Sequence, residues 1–115
     1  MRYTIDLNKI TLANGYSIEF NYKIKKTLTV HDVVIIVIDP PYDVIYNYNV
    51  FAISLTGDFL WRIGEIGSYC WESDHCPYVE AIVNENHELV LFNWCDTAVI
   101  VNYQTGQVIR TYQTK

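Results

Sequence analysis

Apolar and polar residues alternate without a break along residues 17–25. Ile18, Phe20, Tyr22 and Ile24 fall on one face, and Glu19, Asn21, Lys23 and Lys25 on the other. A period of two predicts a strand with one wet face. Asn14-Gly15 just before it predicts a type I′ hairpin turn, whose two central residues need positive φ. That turn pairs the strand with an earlier one within residues 2–12, bent or broken near Asn8-Lys9. Residues 28–38 read differently. From Val33 to Ile38 the apolar residues are continuous, as in a central strand covered on both faces, with His31-Asp32 at its entry as a structural pair. Asp39-Pro40-Pro41 ends that strand, because proline cannot donate to a ladder.

The rest of the chain predicts further hairpins. Residues 49–55 and 59–63 turn over Thr56-Gly57-Asp58, and residues 78–83 and 88–94 over Asn84-Glu85-Asn86-His87. The last pair, 98–103 and 108–112, turns over Gln104-Thr105-Gly106-Gln107. Two loops separate these elements, residues 39–48 and 64–77. No segment of ten or more residues has apolar spacing near 3.6, so no helix longer than a turn is expected.

Composition supports this reading. Of 115 residues, 14 are Ile, 12 Val, 9 Thr and 10 Tyr, against 4 Ala and 7 Leu. Stiff β-branched and aromatic side chains suit a pleated surface. The expected fold is all-β, a single antiparallel domain over residues 1–115 built of consecutive hairpins. A two-sheet sandwich or bent meander is the first arrangement and a small barrel the alternative. The core is expected from Ile18, Phe20, Tyr22, Val34, Ile36, Val50, Ala52, Trp61, Ile82, Leu89, Leu91, Val99 and Val101.

Residues 49–61 align without gaps on residues 98–110, sharing a valine, a Thr-Gly turn and flanking apolar pairs at an offset of 49. Strand, Thr-Gly turn and a following strand with Trp61 resemble the blade hairpins of quinoprotein-type (PQQ-like) β-propellers. The resemblance covers about 30 residues, and the chain has strands for about two blades where propellers typically have 4–8. It implies blade-like local geometry; no cofactor or dehydrogenase activity is inferred.

Charge narrows the function classes. Eight Lys and Arg face thirteen Asp and Glu, a net charge of −5, which disfavours a nucleic-acid backbone binder. No apolar run approaches the roughly 20 residues of a membrane helix, and the start carries no secretion signal. The expectation is a cytoplasmic protein with no nucleic-acid and no membrane partner. No Lys or Arg lies between Arg62 and Arg110, whereas Glu65, Glu72, Asp74, Glu80, Glu85, Glu88 and Asp96 do. Such a one-signed stretch steers a basic partner, or simply keeps a Tyr-rich β domain soluble.

Candidate chemistry is sparse. Cys70, His75, Cys76 and Cys95 are the types of a Cys₃His zinc site, but the C-x5-C spacing is wide and Cys95 stands alone. With an odd cysteine count and no secretion signal, thiols are expected; a Cys70–Cys76 disulfide would need an oxidising compartment. No nucleophile elbow or phosphate-cradling glycine loop occurs. The aromatic residues carry the remaining signal. Tyr42, Tyr46, Tyr48, Tyr69, Trp71 and Tyr78 lie in or beside the two loops, with Glu72 and Asp74 among them. Such rings either cap the core or form an interface, where Tyr and Trp are enriched.

The sequence is therefore read as a small non-catalytic protein-binding module, for example an inhibitor or immunity-type protein. Its partner surface would be Tyr42, Tyr46, Tyr48, Tyr69, Trp71, Glu72, Asp74 and Tyr78, its partner a basic protein, and its cofactor none. The alternatives are a metal- or thiol-dependent enzyme centred on the Cys/His cluster, and a structural subunit or homodimer assembling by strand pairing.

Overall fold

A computed structural model describes residues 3–64 and 76–114. The described residues form eleven strands: β1 (Tyr3–Asp6), β2 (Lys9–Leu12), β3 (Ser17–Glu19), β4 (Lys23–Val30), β5 (Val33–Asp39), β6 (Val50–Ser54), β7 (Phe59–Arg62), β8 (Tyr78–Val83), β9 (Leu89–Asn93), β10 (Thr97–Val101) and β11 (Val108–Gln113). Every pairing is antiparallel and joins strands consecutive in sequence. The all-β class and the organisation in consecutive hairpins are as expected. The hairpins are shared among three sheets: β1–β2–β3, β4–β5–β6–β7 and β8–β9–β10–β11, each a meander.

β5 explains the continuous apolar run. Val34, Ile36 and Ile38 pack with Ile10 and Leu12 of the N-terminal sheet, whereas Val33, Ile35 and Val37 pack with Leu89, Leu91, Val99 and Val101 of the C-terminal sheet. A middle sheet with layers on both faces has no wet side to encode, so its central strand does not alternate.

Residues 17–25 are not one strand. The Phe20 amide donates to the Asn8 carbonyl at 2.8 Å, Asn8 Nδ2 donates to the Phe20 carbonyl, and the Ile24 amide donates to the Leu7 carbonyl at 2.9 Å. Here the chain leaves the N-terminal sheet for the middle one. Ile18, Phe20, Tyr22 and Ile24 all still pack in the same apolar cluster, so the alternation persists across the change of sheet. His31-Asp32 stands at the entry to β5, as expected, and forms the tight turn from β4, with His31 at φ 55° and its ring stacked on Tyr103 at 5.1 Å. Of the expected core, Ile82 is 38% exposed because it faces outward on β8, an edge strand of its sheet. Ile18, Phe20 and Tyr22 are partly buried.

The Asn14-Gly15 turn also differs from type I′. Gly15 has φ 90° while Asn14 is not in the positive-φ region, and the Leu12 amide reaches the Tyr16 carbonyl at 2.8 Å. This is a three-residue loop closed by a left-handed glycine. A polar side chain before or within a turn recurs as its brace. Asn14 Oδ1 accepts the Tyr16 amide, Asn84 Oδ1 the Asn86 and Glu88 amides, Asn93 Oδ1 the Cys95 and Thr97 amides, and Asn102 Oδ1 the Gln104 amide. Ser54 Oγ does the same for Asp58. These groups offer the backbone a local partner in place of a ladder bond.

The two aligned hairpins differ by one residue. The Ser54 amide donates to the Asp58 carbonyl across three residues, and the Asn102 amide to the Gln107 carbonyl across four. The 49-residue offset therefore holds after the turn and slips by one before it: Trp61 pairs with Ala52, and Arg110 with Ile100. Trp61 faces the C-terminal sheet, donates from Nε1 to the Tyr103 carbonyl at 2.7 Å, and rests on Gly106. Tyr16 of the N-terminal sheet rests in the same way on Gly57 of the middle sheet. Arg110 lies on the outer face of the last sheet and is paired with Glu88 at 3.0 Å.

The middle and C-terminal sheets are also bridged by Lys26 on β4 and Glu80 on β8. The Lys26 ammonium, by its hydrogen bond, holds the Glu80 carboxyl below its ordinary value and outweighs the opposing effect of burial. A depressed carboxyl stabilises the fold above its ordinary pKa, and that contribution fades as pH falls through the lowered value. In thermal unfolding across pH, Lys26→Met should lower the midpoint at neutral pH, and the gap to wild type should close well below the ordinary glutamate pKa of about 4.3. A second comparison tests the aromatic contacts. Gly15 and Gly106 both have positive φ (90° and 77°), where a Cβ costs roughly 1–2 kcal/mol. A Cβ at Gly15 meets open space, whereas one at Gly106 would lie 2.5 Å from the Trp61 ring. Gly106→Ala should therefore lower the urea midpoint clearly more than Gly15→Ala; equal losses would mean that the ring does not hold the turn.

Candidate functional site

β5 ends at Asp39, and Pro40 and Pro41 send the chain outward into a loop that returns at Asn49. The Val44 amide donates to the Pro41 carbonyl at 3.0 Å, and Tyr42, on the resulting turn, is 85% exposed. The return is clamped. The Asn49 carbonyl accepts the Ile38 amide at 2.8 Å, and the fully buried Asn49 side chain donates to the Ile38 and Tyr78 carbonyls, both at 2.7 Å. Its Oδ1 accepts the Tyr78 amide at 2.8 Å. One side chain thus joins the end of β5 to the start of β8, across two sheets. Asn47 adds a second tie, its Oδ1 accepting the Cys76 amide at 2.8 Å.

A disulfide stands beside this clamp. Cys76 and Cys95 are bonded, with Cα atoms 5.5 Å apart, inside the range such a bridge needs. The expectation of thiols is corrected here: the antiparallel pairing of β8 and β9 sets Tyr78 opposite Asn93, and so brings two cysteines 19 residues apart side by side. The Cys70–Cys76 pairing is likewise replaced. A disulfide offers no thiolates, so Cys76 and Cys95 supply no zinc ligands in this state; Cys70 and His75 lie outside the described residues. Next to the bridge, the Trp94 amide donates to the Pro77 carbonyl at 2.8 Å, and the Trp94 side chain is 63% exposed.

Between these clamped segments lies a cleft of about 350 Å³. Tyr42 and Trp94 line it with Pro40 and Pro77, and Lys25 and Asp39 supply its charged groups. Both strands that border it carry an extra residue there. The β4–β5 register shifts between Ile24 and Lys26, leaving Lys25 unmatched, and the β8–β9 register shifts between Tyr78 and Glu80, leaving Val79 unmatched. Bulges re-aim side chains out of the regular alternation, and both unmatched residues line the cleft.

A family model described as "Domain of unknown function (DUF7957)" matches residues 1–113. The chain belongs to this family. A search of curated proteins finds no match to it.

The expected partner residues are distributed unevenly over this DUF7957 domain. Tyr42 is on the cleft. Tyr46 is partly buried, packed edge-on to Tyr22 at 5.0 Å and lying under the Arg62 guanidinium at 5.2 Å, which also covers Phe51 at 4.8 Å. Arg62 Nε donates to the Tyr48 carbonyl at 2.6 Å. Ile45, Tyr46, Asn47 and Tyr48 line a second, smaller hollow of about 320 Å³ with Arg62. Tyr78, expected on the surface, is 3% exposed and belongs to the core between the middle and C-terminal sheets, because it opens β8 on the inward face. Tyr69, Trp71, Glu72 and Asp74 lie outside the described residues. Sequence reasoning missed Trp94, placed at the end of a strand; its position beside a cysteine in a tight turn was the available signal.

The acidic stretch is partly absorbed into structure. Glu80 is bridged to Lys26, and Glu88 accepts from Asn84 at 3.0 Å and from Arg110. The hydrogen bond from Asn84, then that from Arg110, lowers the Glu88 carboxyl from its ordinary value. Among the described residues no group of three or more His, Cys, Asp or Glu is arranged to hold a metal ion.

Peptide mapping without reduction should recover Cys76 linked to Cys95. The double variant Cys76→Ser/Cys95→Ser should lose about 3 kcal/mol in urea unfolding, the chain-entropy expectation for a loop of this size.

Proposed function

We propose that this domain is a non-catalytic binding module that engages another protein through the loop of residues 40–49. The observation that carries the reading is the exposure of large apolar side chains on a segment whose ends are fixed. Tyr42 is 85% and Ile45 64% exposed, while Asn49 and Asn47 tie the same loop to β5 and β8. A rigid loop that presents rings and aliphatic groups loses little freedom on docking, and such residues form the energetic centres of interfaces. Tyr48, 39% exposed beside Ile45, extends the surface. Pairing of Cys76 with Cys95 weighs against the thiol- or metal-dependent alternative.

The partner is basic in this reading. No Lys or Arg occurs from residue 63 to 109, and Glu85 and Asp96 are exposed on turns of that half. An inhibitor or immunity-type protein that occludes a basic toxin or nuclease is the specific form we favour. The Cys76–Cys95 bridge fits an oxidising compartment, where disulfides persist, better than the cytoplasm. The two stacked four-stranded meanders, with Trp61 seated on the Thr-Gly turn of the next sheet, support the reading of these sheets as blade-like.

The test uses the full chain as bait in its own host, with wild type and Ile45→Asp compared by quantitative mass spectrometry. The expected result is a basic protein retained by wild type and lost from the variant, whose purified complex weakens by roughly tenfold or more on the substitution and weakens further with salt. A partner set identical for both baits would overturn the reading.

A further inference from the structure

The cleft between Tyr42 and Trp94 goes beyond the protein-partner reading and stands without it. Its two charged groups are opposite in sign: Lys25 from the β4 bulge and Asp39 from the end of β5. Among the described residues the ion pairs are Lys26–Glu80 and Arg110–Glu88, and Lys25 acts on Glu80 only at longer range. The ammonium can only donate and the carboxylate can only accept. Together they match a ligand whose groups do both and which carries no net charge.

The walls narrow the chemistry further. Tyr42, on the loop after β5, and Trp94, just after β9, both line the cleft, and each is more than half exposed. Both segments are fixed, one by Asn49 and the other by the Cys76–Cys95 bridge and the Trp94-to-Pro77 hydrogen bond. Flat apolar surfaces on a prearranged frame, with one donor and one acceptor, fit a ring that has apolar C–H faces and hydroxyls at its rim. The volume of about 350 Å³ is at the small end of ligand sites.

We propose that this cleft binds a neutral saccharide, the pyranose ring lying against Trp94 and Tyr42 and its hydroxyls bonded to Lys25 and Asp39. Among the described lining residues Asp39 is the one carboxylate.

The experiment titrates maltohexaose, cellohexaose and N-acetylchitohexaose, and the corresponding monosaccharides, into the oxidised full-length protein. Binding is read by saturation-transfer NMR and by the indole N–H resonances. The expected result is saturable binding of at least one oligosaccharide with a shift of the Trp94 indole signal. Trp94→Ala should weaken binding by roughly tenfold or more, and Lys25→Met and Asp39→Asn should weaken it with little change in unfolding midpoint. The monosaccharide arm separates a single-ring site from one that needs a chain. No binding of any of these sugars at millimolar concentration would overturn the proposal, and so would binding left unchanged by Trp94→Ala and Lys25→Met. Either failure leaves the Ile45→Asp test of the protein interface unaffected.

Discussion

The buried amide of Asn49 holds together the part of the molecule on which the candidate site depends. Its three hydrogen bonds, to the Ile38 carbonyl and to the Tyr78 amide and carbonyl, satisfy backbone groups at the ends of two strands in different sheets. Neither strand could satisfy those groups by its own ladder there, and an unmet buried polar group costs about 1–3 kcal/mol. The clamp therefore fixes where β8 begins relative to β5. The β8–β9 pairing then sets Cys76 beside Cys95 and Pro77 against Trp94, and the clamp brings that corner to the end of β5, where the cleft lies. Stacking of the sheets supplies the bulk of the apolar burial, but burial is non-directional; the amide supplies the alignment.

Aromatic contacts to glycine turns complement that alignment at the other end of the sheets. Tyr16 on Gly57 and Trp61 on Gly106 join each layer to the next. The glycines serve twice, providing the positive φ that closes the turn and the flat surface on which a ring can rest. At the position equivalent to Trp61, the last sheet has Arg110, paired with Glu88 on the outer face. That face also carries a third buried cluster of Val90, Ala98 and Ile100.

Much of the fold was legible in the chain. β-branched composition, the turn residues and the continuous apolar run at Val33–Val34–Ile35–Ile36–Val37–Ile38 identified the class, most hairpins and a strand covered on both faces. Three things were not legible, each for a physical reason. The alternation through Ile18, Phe20, Tyr22 and Ile24 conceals a change of sheet, because side-chain period reports the buried face and not the hydrogen-bonding partner. The one-residue difference between the turns at Gly57 and Gly106 is invisible in a gapless alignment, since loop length changes register without changing composition. The Cys76–Cys95 bridge depends on the pairing of β8 with β9, which spacing alone does not reveal. Of the candidate site, Tyr42 was identifiable as a loop aromatic, but Lys25 looked like any wet-face lysine until the bulge set it at the cleft, and Tyr78 looked like a loop residue until β8 turned it inward.

The junction of β5, β8 and the 40–49 loop is preformed around Asn49. Native-state hydrogen exchange of the Tyr78 and Cys76 amides, which donate to Asn49 and Asn47, tests it most directly. The Tyr78 amide should exchange only through global unfolding, as slowly as the central amides of β5 and β9, with Cys76 close behind. Exchange of Tyr78 at the rate of exposed turn amides such as Asn86 would contradict it.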